Sequence, residues 1–220
     1  MKRLLSFLLV WVGFFSLSAQ NVDDIFTFAP DGTIQDKPVY YNEEEFSWDE
    51  SFGLKNFSTM TFHTKDKTPY TVKLRQYRGE TSIHAFNTID VLYKDTPIYS
   101  AKNEDLWTDA KSTSGNARQY EVISLTNTAS AILFFGWPYG GDPPPLLTIV
   151  VVNQGKAKLV FNRHCCISDY KDKEGEFSII YVDQIQEYNP ETDAFEPADD
   201  KLDKFKIWKS DGVLKFRQIQ

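Results

Sequence analysis

Only two cysteines occur in the 220 residues, and they stand side by side as Cys165-Cys166. That excludes a framework of spaced disulfides, so the fold has to rest on a hydrophobic core. Beyond the first twenty residues the chain also lacks any apolar run long enough to span a bilayer as a helix; Ala131 to Phe135 and Leu146 to Val152 are strand-sized. Basic excess is missing as well. Lysine and arginine total 24 against 31 aspartates and glutamates, a net charge of −7, and the densest charged runs are Glu43-Glu44-Glu45, Asp49-Glu50 and Asp199-Asp200. A nucleic-acid partner, which needs a basic stripe to neutralise phosphates, is not expected. Apolar residues at helical spacing are scarce, with 199–207 the one modest candidate through Leu202, Phe205 and Ile207. No Gly-x-Ser-x-Gly motif occurs, so the usual serine-hydrolase signature is absent.

What is present begins with an address. Lys2 and Arg3 precede the apolar run Leu4 to Phe15, and Leu17-Ser18-Ala19 follows. This is the build of a cleavable secretory signal: basic residues hold the start in the cytoplasm, a short apolar segment engages the export machinery, and small residues fit the peptidase. The cut is expected between Ala19 and Gln20, making 1–19 the signal and 20–220 a single β-rich domain. A cysteine to carry a lipid is missing after the small residues. The mature chain is expected to be periplasmic or secreted, with a charge of about −9 once Lys2 and Arg3 are removed.

Aromatic residues, 17 phenylalanines, 11 tyrosines and five tryptophans, fall mostly in short runs with valine, isoleucine and threonine. Such residues fit a pleated surface, so the expected class is all-β. Paired runs with turn-forming links recur: Phe57–Thr64 with Tyr70–Tyr77, Thr88–Tyr93 with Pro97–Ser100, Gln119–Leu125 with Ala131–Trp137, and Phe205–Trp208 with Val213–Arg217. Leu146–Val152, Ala157–Ile167 and Glu176–Val182 complete roughly ten strands, read as one antiparallel sandwich or barrel-like domain. Continuous apolar runs at Ile132-Leu133-Phe134-Phe135 and Leu146–Val152 imply cover on both faces of their sheet. Ile132, Phe134, Leu147, Ile149, Val151, Leu159 and Ile179 are the expected core.

Three local features invite chemistry. Cys165-Cys166 follows His164; on one regular strand the two sulfurs point to opposite faces and cannot converge on one metal. Two unpaired thiols are the favoured reading, a vicinal disulfide the next, zinc with His164 the last. Asn189-Pro190-Glu191-Thr192-Asp193 spaces oxygen donors as a calcium loop does, but Ala194 stands where a tight loop needs glycine, and a solvated turn is favoured. Trp137 and Tyr139 flank Pro138 and run into Gly140-Gly141-Asp142 and a three-proline stretch. A stiffened loop presents aromatics to a sugar or peptide at small entropic cost, so these two residues are the ligand-binding candidates, although an aromatic plug over the sheet end is the favoured alternative.

No catalytic residue, metal site or cofactor is assigned. The expected function is an exported, non-catalytic binding or structural protein of the bacterial cell envelope with a protein or glycan partner. The alternative is a secreted glycoside hydrolase using a carboxylate pair.

Overall fold

A computed structural model of the chain describes residues 22–36, 53–78, 85–108, 110–111, 117–118, 120–135, 146–164, 166–173, 176–182, 186–192, 194–197 and 204–219. Every regular element among them is a strand, and every pairing is antiparallel. In chain order they are β1 (Asp23–Asp24), β2 (Phe26–Phe28), β3 (Ile34–Asp36), β4 (Leu54–His63), β5 (Pro69–Tyr77), β6 (Ala85–Tyr93), β7 (Thr96–Thr108), β8 (Ala110–Lys111), β9 (Ala117–Arg118) and β10 (Glu121–Ser124). There follow β11 (Ala129–Phe135), β12 (Leu146–Asn153), β13 (Lys156–His164), β14 (Cys166–Lys173), β15 (Glu176–Val182), β16 (Gln186–Asn189), β17 (Ala194–Pro197), β18 (Lys204–Ser210) and β19 (Val213–Ile219). Eleven of these strands have seven residues or more; the other eight, of two to four residues, are too short to announce themselves by alternation.

Three hairpins close with two-residue turns in which both residues have positive φ: Lys94-Asp95 (50° and 64°), Gln154-Gly155 (49° and 75°) and Asp211-Gly212 (54° and 81°). Such turns match the right-handed twist of the strands they join, which is why tight hairpins use them.

The larger sheets run β4-β5-β6-β7, β10-β11-β12-β13 and β1-β19-β18-β15-β14. Each is open, with two edge strands, so the barrel alternative is corrected: no described sheet closes on itself. The sheet β10-β11-β12-β13 is buried on both faces. Leu133, Phe135, Ile149 and Val151 join a core with Ile25, Phe26, Ile179, Ile207 and Leu214. Ile132, Phe134, Val150 and Val152, one residue out of phase, join a second core with Tyr70, Val72, Leu74, Phe86 and Ile89. The register fits, since Ile132 opposes Val150 and Leu133 opposes Ile149. This double cover is what the uninterrupted apolar runs predict. Of the expected core, Ile132, Phe134, Leu147, Ile149, Val151 and Ile179 are buried, whereas Leu159 is only partly so. Strand β13 bulges between the partners of Ile149 and Val150, which places the consecutive Val160 and Phe161 in the same core.

The helical candidate at 199–207 is corrected over its described part. Lys204–Ser210 is β18, where Ile207 is buried and Phe205 stacks on Phe216 of β19 at 5.3 Å, so pairing imposes a period of two. The expected strand Ala157–Ile167 is also divided: β13 ends at His164 in one sheet and β14 starts at Cys166 in another.

Candidate functional site

The hairpin of β4 and β5 is tied down at its turn. Thr64 N–H donates to Thr68 O at 3.1 Å and Lys67 N–H to Thr64 O at 3.0 Å, with Lys67 at φ 69°. Asp66 accepts from the Thr64 hydroxyl and from Thr68 N–H, and these bonds hold its carboxyl below the usual value. Its own N–H reaches Asn127 O at 2.9 Å, fastening this turn to the one between β10 and β11. Beneath the hairpin, Phe62 stacks on Tyr70 at 5.7 Å, Tyr70 meets Tyr93 at 5.6 Å, and the Tyr70 hydroxyl accepts a bond from Gly155 N–H. The turn of β12 and β13 thus anchors the neighbouring sheet.

The same turn holds the β2–β3 hairpin. Asn153 Nδ2 donates to Gly32 O at 2.9 Å in a buried setting, while Lys156 Nζ donates to the Thr33 hydroxyl at 2.7 Å and to Asp31 at 3.3 Å. Asp31 also accepts from Thr33 N–H and from its hydroxyl, and its carboxyl falls to about 2. Asp211, in the β18–β19 turn, is lowered by Lys215 and by Ser210. Charged groups at this end of the molecule fasten turns.

Strand β4 is different. Among the described strands it pairs with β5 alone, and its centre, Phe57-Ser58-Thr59-Met60-Thr61-Phe62, carries no charge and no proline. Met60 opposes buried Val72 and so belongs to the inner face, yet it is 48% exposed. The edge of this sheet therefore overhangs the core beneath it. On the outer face Thr61 bonds to Thr71 at 3.0 Å, Thr59 opposes exposed Lys73, and Arg75 pairs with Asp90 at 2.6 Å while Ser100 donates to the same carboxylate. Within residues 53–78 the six bases Lys55, Lys65, Lys67, Lys73, Arg75 and Arg78 stand against Asp66, leaving +5 in a chain of −7. The patch contains no run of like charge, so in the sequence it is legible only as net charge summed strand pair by strand pair.

Trp137, Tyr139 and Cys165 lie outside the described residues. The described neighbours of the aromatic segment, Phe135 of β11 and Leu147 of β12, pair with each other at the end of the two strands away from the Gln154-Gly155 turn. For Cys165-Cys166 the premise of one continuous strand is corrected, since Cys166 begins β14 opposite Val182 while His164 ends β13 opposite Leu146. Asn189 and Ala194 pair across the β16–β17 hairpin, and Pro190, Glu191 and Thr192 are exposed in its turn; Asp193 is outside the described residues. Among the described residues no three histidine, cysteine or acidic side chains gather as a metal site, and no helix is long and apolar enough to cross a membrane. Neither a protein-family model, nor a curated protein, nor a solved structure matches this chain.

Proposed function

We propose that this chain is an exported, non-catalytic binding protein of the bacterial cell envelope, periplasmic or secreted, whose mature part is a single β-sandwich domain over 20–220 preceded by a signal over 1–19. The observation that carries the reading is the use made of its carboxylates. Asp31, Asp66 and Asp211 are exposed and lowered in pKa by hydrogen bonds that fasten hairpin turns. A glycosidase needs the opposite in one of its pair, a carboxyl raised by burial so that it holds a proton for the leaving group. At these three turns acidity goes into architecture.

The partner is a protein or a glycan, and Trp137 and Tyr139 are the proposed aromatic contacts. The test is a double change, Trp137→Ala with Tyr139→Ala, read by thermal melting and by binding to envelope extracts and glycan panels. Lost binding with unchanged melting supports the ligand role. A melting temperature lowered by several degrees, with binding intact, assigns the pair to a plug over the sheet end. N-terminal sequencing of exported protein should begin at Gln20; release of reducing sugar from envelope glycans by the purified protein would replace this reading with the hydrolase.

A further inference from the structure

We infer that the outer edge of β4 is a strand-addition site for an extended acidic peptide segment of a partner protein. The inference rests on the binding-protein reading and supplies the class of partner.

An uncovered sheet edge is a row of backbone donors and acceptors ready to pair with another chain, and proteins blunt such edges with short strands, prolines or lysines. The other edges of the larger sheets are blunted. β1 has two residues and β10 four, β7 carries Pro97 at its start and Lys102 further along, Lys156 and Lys158 stand on β13, and Lys171 stands on β14. At β4, which among the described strands pairs with β5 alone, the ladder bulges at Phe57, but the regular stretch beyond it, 58–62, is uncharged and free of proline, a composition that pairs readily with a further strand. Half-exposed Met60, on the overhanging inner face, offers the adaptable apolar contact that an added strand's side chains would cover.

Charge chooses the occupant. The hairpin carries +5 while the remainder of the chain carries −12. Arg75 is already engaged with Asp90 of β6, and a short acidic strand lying along β4 meets the hairpin's lysines, Lys65, Lys67 and Lys73 among them. A long polyanion would run off the hairpin onto acidic surface, which disfavours nucleic acid. In strand addition, main-chain bonds supply affinity and alternate side chains supply specificity. The alternation is set by the register. Positions facing inward lie beside Met60 and Phe62 and want apolar residues; positions facing outward lie beside Thr59 and Thr61, one strand from Lys73, and want aspartate or glutamate.

The experiment uses the full mature protein and a fluorescent decapeptide alternating valine and glutamate, read by anisotropy. Comparison peptides alternate valine and lysine, or keep the acidic sequence with every second backbone nitrogen methylated. The acidic peptide should bind at least tenfold more tightly than either. Met60→Glu should weaken it tenfold or more with unchanged melting, and Lys73→Glu should shift preference towards the lysine peptide. Equal binding of all three peptides, no binding at millimolar concentration, or displacement by an oligonucleotide at lower concentration than by unlabelled peptide would overturn the inference. So would a concentration-dependent dimer that Met60→Glu dissolves, which would give the edge to a second copy. Absent peptide binding alongside envelope binding that depends on Trp137 and Tyr139 would remove the β4 site and leave the binding-protein reading intact.

Discussion

The hydroxyl of Tyr70, on β5, accepts a 2.9 Å hydrogen bond from the backbone N–H of Gly155, in the turn between β12 and β13. Tyr70 is buried, and this part-buried bond ties two sheets together. Gly155 is held there twice over: its φ is 75°, and a Cβ would come within 2.7 Å of the Tyr93 ring. Tyr70→Phe leaves the amide unpaired and is expected to cost about 1–3 kcal/mol in denaturant unfolding. Gly155→Ala adds left-handed strain of about 1–2 kcal/mol and a steric clash, so it should be the more damaging change. The reverse order would mean that the bond matters more than the close approach.

Ile149 is 0% exposed, packed in the core that β12 shares with the five-stranded sheet. Ile149→Ala should destabilise by about 2–5 kcal/mol, the range for emptying a well-packed aliphatic site. Leu159, opposite Val150 and only partly buried in the other core, should cost clearly less when changed to alanine. Equal losses, measured by chemical denaturation, would contradict the unequal cover.

Lys94-Asp95 forms a two-residue turn without glycine, Asp95 lying at φ 64°. Relief of left-handed strain, about 1–2 kcal/mol, outweighs the extra chain entropy that glycine brings to the unfolded state, about 0.4–1 kcal/mol. Asp95→Gly is therefore expected to stabilise by about 0.5–1 kcal/mol and to raise the melting temperature, while keeping Lys94 over the Tyr93 ring at 5.0 Å.

Burial pushes the phenols of Tyr70 and Tyr99 upward and that of Tyr120 to about 12. Between pH 10, where the unfolded chain loses these protons, and the higher folded values, the folded state binds more protons than the unfolded one, so stability must fall as pH rises. For Tyr120 alone the window from 10 to about 12 corresponds to about 3 kcal/mol at its upper end. Unfolding free energy measured from pH 8 to 12 should decline from about pH 10, and Tyr120→Phe should flatten the curve. An unchanged slope in that variant would place Tyr120 in contact with solvent.

Strand positions and hairpin turns were legible in the chain because both are local. Alternation across Pro69–Tyr77 and the pairing of Lys94-Asp95 with its flanks depend on residues a few positions apart. The cover on both faces of β11 and β12 was legible too, since an unbroken apolar run has no face that tolerates water. The two-residue strands were not, for they exist only where a partner supplies the hydrogen bonds. Asp23 and Asp24 are strand because Phe216 and Lys215 lie opposite them.

The sequence by itself determined an all-β, antiparallel chain with its apolar residues in a definite phase. Only the tertiary structure decided that the chain leaves one sheet at His164 and enters another at Cys166, and that Met60, in phase with buried Val72, is nevertheless half exposed. The pleat fixes which way a side chain points from its neighbours along the strand. Whether anything lies in that direction depends on where a distant sheet ends, and no local pattern carries that information.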